Sequence, residues 1–156
     1  MPDRVIVTAE AAALIQHLKE RRGPLMFHQS GGCCEGTAPM CLRRRDFRVG
    51  ARDVLLGVIE GCPFYVGGAE FEYWANMELT IDVVSGGGDS FSLEAADGLR
   101  FITRSRLLTD AEVAALMAAG PPLRGPEALE TDEVRRLLDA GSVGGFSVRA
   151  PARETG

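Results

Sequence analysis

The sequence predicts an α+β fold: a mixed or mostly antiparallel sheet, an N-terminal helix packed on it and a short helical C-terminal appendage. Three observations carry this expectation. Turn-bounded runs rich in β-branched and aromatic residues recur through the middle of the chain, in DVLLGVI (53–59), CPFYV (62–66) and ELTIDVV (78–84). One apolar stripe at helical spacing, Ala11, Leu14, Ile15 and Leu18, lies near the start. A capping box, Thr109-Asp110-Ala111-Glu112, opens a helical pattern after the strands have ended. Helices set apart from a run of strands are the mark of α+β rather than of alternating α/β units.

The elements follow in order. Residues 4–7 read as a strand, and Thr8 as the N-cap of the first helix, with Glu10 placed where a carboxylate suits the helix dipole. Gly23 and Pro24 end that helix. Leu25-Met26-Phe27-His28 is a second strand leading into a Gly/Cys loop. Glu60-Gly61 is the turn between the strands 53–59 and 62–66. Residues 70–76 suit one or two helical turns or a strand end. ELTIDVV alternates as a half-buried strand does, and Gly86-Gly87-Gly88-Asp89 is a turn. Phe91–Glu94 and Leu99–Thr103 are expected to form a hairpin around Asp97-Gly98. The capped helix runs to Ala119 and stops at Gly120-Pro121-Pro122. A last helix covers 131–140.

A chain of 156 residues suggests one domain, an α+β unit over 1–106 with a helical appendage over 107–156. A chain of this length needs no staple to fold, so the four cysteines are not read as a disulfide framework. No signal peptide and no bilayer-length apolar run is visible, so the expectation is a cytoplasmic protein with reduced thiols and no membrane partner. The net charge of −5 argues against nucleic acid as a partner. The one basic run, Arg43-Arg44-Arg45, is read first as a solvated strand end, with thiolate or anion support as its alternative.

Chemistry concentrates in one segment, His28-Gln29-Ser30-Gly31-Gly32-Cys33-Cys34-Glu35-Gly36-Thr37-Ala38-Pro39-Met40-Cys41. Its glycines free the backbone to fold back and aim several side chains at one point. His28, Cys33, Cys34 and Cys41 form a complete tetrahedral ligand set by type, and zinc, iron and copper all accept thiolate and imidazole. The alternatives are a Cys33–Cys41 disulfide, a redox-sensing thiolate, and a Cys33 or Cys34 nucleophile with His28 as base. Nothing in the sequence marks a third residue to orient that base. Cys62, beside Pro63 and Phe64, reads as a small buried hydrophobe. His17 reads as a solvated helix residue, Trp74 as a packing anchor and Glu35 as exposed. Phosphate-loop, dinucleotide, zinc-protease and serine-hydrolase signatures are absent, and the chain leans away from being an enzyme.

The runs FHQSGGCCEGTAPMC, DVLLG, CPFYVGGAEFEYW, LTIDVV, GDSFSLEA and GLRFITRSR resemble the bacterial family catalogued as domain of unknown function 779, over residues 4–106. Members of that family are often encoded beside aldehyde or alcohol dehydrogenases. The resemblance therefore implies an accessory part in such a system, with the dehydrogenase as partner. A weaker likeness is to A-type iron–sulfur carriers, the HesB-like group. It rests on VIVTAEAAALIQHLKERRG before Gly32-Cys33-Cys34, while Ser85 and Gly87 stand in place of the two cysteines of that group's closing motif. The expected function is a small metal-binding accessory protein, with His28, Cys33, Cys34 and Cys41 as ligands. A thiol-dependent enzyme, a redox sensor and a non-catalytic dehydrogenase partner are the alternatives, and a homo-oligomer is compatible with each.

Overall fold

The computed structural model describes residues 3–29, 38–86 and 92–140. Cys33, Cys34, Glu35 and the glycines around them lie outside the described residues, as do Gly87-Gly88-Asp89, Phe91 and everything after 140.

The N-terminal strand β1 (Val5–Val7) runs into helix α1 (Ala9–Arg22). Thr8 caps that helix as expected, its hydroxyl accepting from the Ala11 amide at 3.1 Å and donating to Asp82 Oδ1 at 3.0 Å. Ala11, Ala12, Ile15 and Leu18 form its buried side, and Gly23 at φ 84 ends it. Then come β2 (Leu25–Gln29), β3 (Met40–Arg43), a 3-10 turn at Arg44–Asp46, β4 (Val54–Ile59) and β5 (Cys62–Val66). Glu60 and Gly61 close the β4–β5 hairpin with φ of 50 and 76, the left-handed pair that a two-residue turn requires. Short helix α2 (Phe71–Trp74) leads to the long strands β6 (Met77–Ser85) and β7 (Leu99–Leu107). Helix α3 (Asp110–Ala118), strand β8 (Leu123–Arg124), a 3-10 turn at Pro126–Glu130 and helix α4 (Asp132–Ala140) complete the described chain.

The strands form two sheets among the described residues. One has the order β1-β6-β7, with β1 parallel to β6 and β6 antiparallel to β7. The other has the order β3-β2-β5-β4-β8, in which β2 and β5 are parallel and the remaining pairs antiparallel. Mixed sheets with α1 packed on them make the α+β reading correct.

The five-stranded sheet is covered on both faces, which explains why β2, β4 and β5 are buried at every position. Its inner face contributes Leu25, Phe27, Cys41, Val54, Leu56, Cys62, Phe64 and Val66 to the main core, with α1 and the three-stranded sheet opposite. Phe27 stacks on Phe64 at 5.8 Å and meets Phe101 of β7 edge-on at 5.2 Å. Its outer face contributes Met26, Leu55, Val58 and Tyr65 to a second cluster, closed by Ala128 and by Val134 of α4. In contrast, β6 alternates, with Leu79 and Ile81 inward and Thr80 and Asp82 less buried.

Two expectations change. Leu93–Asp97 is a 3-10 turn ended by Gly98 at φ 72, and it forms no hairpin with residues 99–103. Strand β7 pairs instead with β6, from Ser85↔Leu99 to Met77↔Leu107. The physical reason is Glu94, whose carboxylate turns inward to accept from the Phe101 amide at 3.1 Å and from the Ser92 hydroxyl. Cys41 sits in a strand, β3, rather than at the end of a loop. Beyond residue 106 the helices α3 and α4 are present as expected, and the intervening β8 pairs with β4 at Val54↔Arg124 and Leu55↔Leu123.

Candidate functional site

Alternation along β2 decides which groups meet. Leu25 and Phe27 face the main core, so Met26 and His28 face the outer side. His28 is 5% exposed, and its ring lies 4.8 Å from that of Phe47. Its Nε2 stands 3.2 Å from Asp53 Oδ1. A turn just before β4 positions that carboxylate. The Gly50 amide donates to Asp53 Oδ2 at 2.8 Å, and the Asp53 amide donates back to the Gly50 carbonyl at 3.1 Å. One carboxylate oxygen is thus held by the backbone while the other stands 3.2 Å from the imidazole nitrogen.

The C-terminal segment supports the same spot. Gly125 donates its amide to the Asp53 carbonyl at 2.9 Å and accepts from the Tyr65 hydroxyl at 2.8 Å. Tyr65 is the cross-strand partner of His28. Burial, followed by the charge of Asp53, pushes its phenol up to about 12, so it remains a neutral donor.

Cys41 lies elsewhere. It pairs across the strands with Phe27, not with His28, and its thiol is sealed in the main core on the opposite face of the sheet. Burial raises its pKa well above the ordinary thiol value, and the nearby Cys62 and Glu94 add to the effect. The structure therefore does not bring Cys41 to His28. Cys62 is likewise a buried core residue, its thiol pushed up to about 12 chiefly by burial. Cys33 and Cys34 lie outside the described residues. Among the described residues, no group of three His, Cys, Asp or Glu side chains is placed to hold a metal ion.

A second buried polar chain joins the two sheets near the end of β2. The Cys41 amide donates to the Ser92 hydroxyl at 2.7 Å, Ser92 donates to Glu94, and Glu94 accepts from Phe101. Gln29 Oε1 accepts from the Thr103 hydroxyl at 2.7 Å. These bonds fix the strand ends on either side of the Gly/Cys segment. His17 is exposed and Trp74 is buried in the main core, both as the sequence suggested.

Asp53 and Tyr65 are the two members of the outer-face site that residue patterns did not single out. The signal for Asp53 was a Gly50-Ala51-Arg52-Asp53 turn ahead of an apolar run. Tyr65 sits in a fully apolar strand, and nothing in its neighbours distinguishes it from packing.

A family model described as domain of unknown function (DUF779) matches residues 14–107. The chain belongs to that family. No curated protein and no solved structure matches the chain. The matched span of this DUF779 protein runs from α1 to the end of β7. It therefore includes His28, Asp53 and the Gly/Cys segment, but not Gly125 or α4. Among the described residues no helix is long and apolar enough to cross a membrane.

Proposed function

We propose that this DUF779 protein is a small cytoplasmic metal-binding accessory protein of an aldehyde or alcohol dehydrogenase system. His28, Cys33 and Cys34 would be the protein ligands. The observation that supports this reading is the 3.2 Å approach of His28 Nε2 to Asp53 Oδ1. Metal-ligating histidines characteristically present one ring nitrogen to a carboxylate, which sets the tautomer and raises the basicity of the other. A carboxylate beside Nε2 favours the proton on that nitrogen. Two adjacent thiols follow within six residues of that imidazole. Cys41 is left out of the set, because a thiol in the main core behind the sheet does not share a point with an imidazole in front of it. Zinc, iron and copper all suit one imidazole and two thiolates, and such an ion would supply a Lewis-acid centre or be passed on to the dehydrogenase. The dehydrogenase connection rests on the family likeness.

Elemental analysis of anaerobically purified protein tests the reading. About one equivalent of zinc, iron or copper is expected, lost on Cys34→Ser. Full metal content in a Cys33→Ser/Cys34→Ser double variant would overturn it.

One observation favours a second reading, thiol chemistry at Cys33 or Cys34. Asp53 supplies the third group that orients a histidine base in a Cys-His-Asp arrangement. It is distinguished by one rapidly alkylated thiol at neutral pH in metal-free protein, slowed by both His28→Ala and Asp53→Asn.

A further inference from the structure

The 3-10 turn after β3 and the residues that follow it carry Arg44, Arg45, Phe47, Arg48 and Val49 over the outer face of the five-stranded sheet. Together with Met26 and Tyr65 they line a cavity of about 430 Å³. Its floor is apolar, because Met26 and Tyr65 belong to the outer cluster and Phe47 and Val49 pack against it. Its rim is cationic. Arg43, one residue earlier, is engaged with Asp46 at 2.6 Å, and Arg21, Arg104 and Arg106 each have a carboxylate partner. Arg44, Arg45 and Arg48 have no carboxylate partner among the described residues. In a chain of net charge −5, three guanidiniums with no carboxylate in ion-pair contact border this apolar hollow, while the charges of Asp53 and Glu127 act on its Tyr65.

We infer that this cavity binds a small amphiphilic anion. A carboxylate or phosphate head would sit on Arg44, Arg45 and Arg48, and an apolar body on Met26, Phe47 and Tyr65. Planar guanidinium forks pair with either head in bidentate fashion, whereas the floor offers no polar group to replace lost hydration of a charged or hydroxylated body. The Tyr65 hydroxyl is already committed to the Gly125 carbonyl, so the phenol presents its ring rather than its oxygen to a guest. Its neutrality adds no repulsion toward an anion. The Arg44 backbone is anchored, its amide donating to the Pro24 carbonyl at 3.0 Å. The cavity shares Phe47 with His28 but uses none of the proposed metal ligands, and it stands whether or not the metal reading does.

Titration calorimetry on the full chain tests the inference with octanoate and octyl phosphate as probes. Octanol, acetate and inorganic phosphate serve as the half-probes. Both amphiphilic anions are expected to bind at least about tenfold tighter than any half-probe, and to weaken as salt screens the head. The tighter of the two identifies the preferred head. An Arg44→Gln/Arg48→Gln double variant should lose about tenfold or more in affinity while keeping wild-type circular dichroism and metal content. Phe47→Ala should weaken binding with the salt dependence unchanged. Equal affinity for octanol would reduce the cavity to a non-selective apolar patch and overturn the inference. Equal affinity for inorganic phosphate, an unchanged double variant, or binding to anionic vesicles with none to monomeric probes would do the same.

Discussion

His28 Nε2 and Asp53 Oδ1 stand 3.2 Å apart on the outer face of a sheet whose inner face holds the Cys41 thiol. One carboxylate oxygen is anchored by the Gly50 amide and the other meets the imidazole, so the pair is positioned by backbone rather than by chance contact. Nitrogen-15 NMR of the imidazole checks this directly. The neutral ring is expected as the Nε2–H tautomer, and Asp53→Ala should shift it toward a mixture of the two forms.

Alkylation separates the core thiols from the rest. Burial pushes Cys62 up to about 12 and Cys41 well above its ordinary value. Neither should react with iodoacetamide at pH 8 in folded protein, and both should react in denaturant, as followed by peptide mass spectrometry. Cys41→Ser should cost about 1–3 kcal/mol in denaturant unfolding, because it places a hydroxyl in the main core with no arranged partner.

The fold of α1, β4, β5 and β6 was legible because each carries a local signal. These signals are the Thr8 cap, the Ile15/Leu18 stripe, the Glu60-Gly61 turn and the alternation of ELTIDVV. The hairpin expected around Asp97-Gly98 failed for a non-local reason. Glu94 is stabilised by Ser92 and Phe101, and no spacing rule announces a carboxylate that turns inward. The opposition of His28 and Cys41 was hidden for a related reason. It follows from β2–β3 register, Phe27↔Cys41, and a one-residue change of register would have put the thiol beside the imidazole.

Gly125 should resist substitution. At φ 75 and ψ 178 it occupies a region of backbone space essentially reserved for glycine, and an added Cβ would stand 2.6 Å from Glu127 Oε2. Gly125→Ala is expected to cost about 1–3 kcal/mol. It should also loosen the bonds to Asp53 and Tyr65, seen as faster amide exchange at residue 125 itself.

Two carboxylates give opposite pH signatures. The Arg106 guanidinium, then the Thr109 amide, hold Glu112 down to about 2. A depressed folded value stabilises the protein above the ordinary carboxylate range, and that contribution is lost as pH falls toward about 2. Glu112→Gln should therefore flatten the acid limb of the unfolding curve. Burial raises Glu94 despite its bonds from Ser92 and Phe101. Its contribution is present below the ordinary carboxylate range and is lost as pH rises through the elevated folded value. Glu94→Gln should remove that loss, while costing about 1–3 kcal/mol at acid pH through the broken Ser92–Phe101 network.

Metal affinity in a matched set of variants decides whether His28 is a ligand and Cys41 is not. Anaerobically purified wild type, His28→Ala, Asp53→Asn and Cys41→Ala should be compared by competition with a chromogenic chelator, each first shown to be folded by circular dichroism. Affinity is expected to be lost in His28→Ala, weakened about 10–100-fold in Asp53→Asn and unchanged in Cys41→Ala. Affinity that survives His28→Ala, or that disappears with Cys41→Ala in folded protein, would rule out a metal site built on His28.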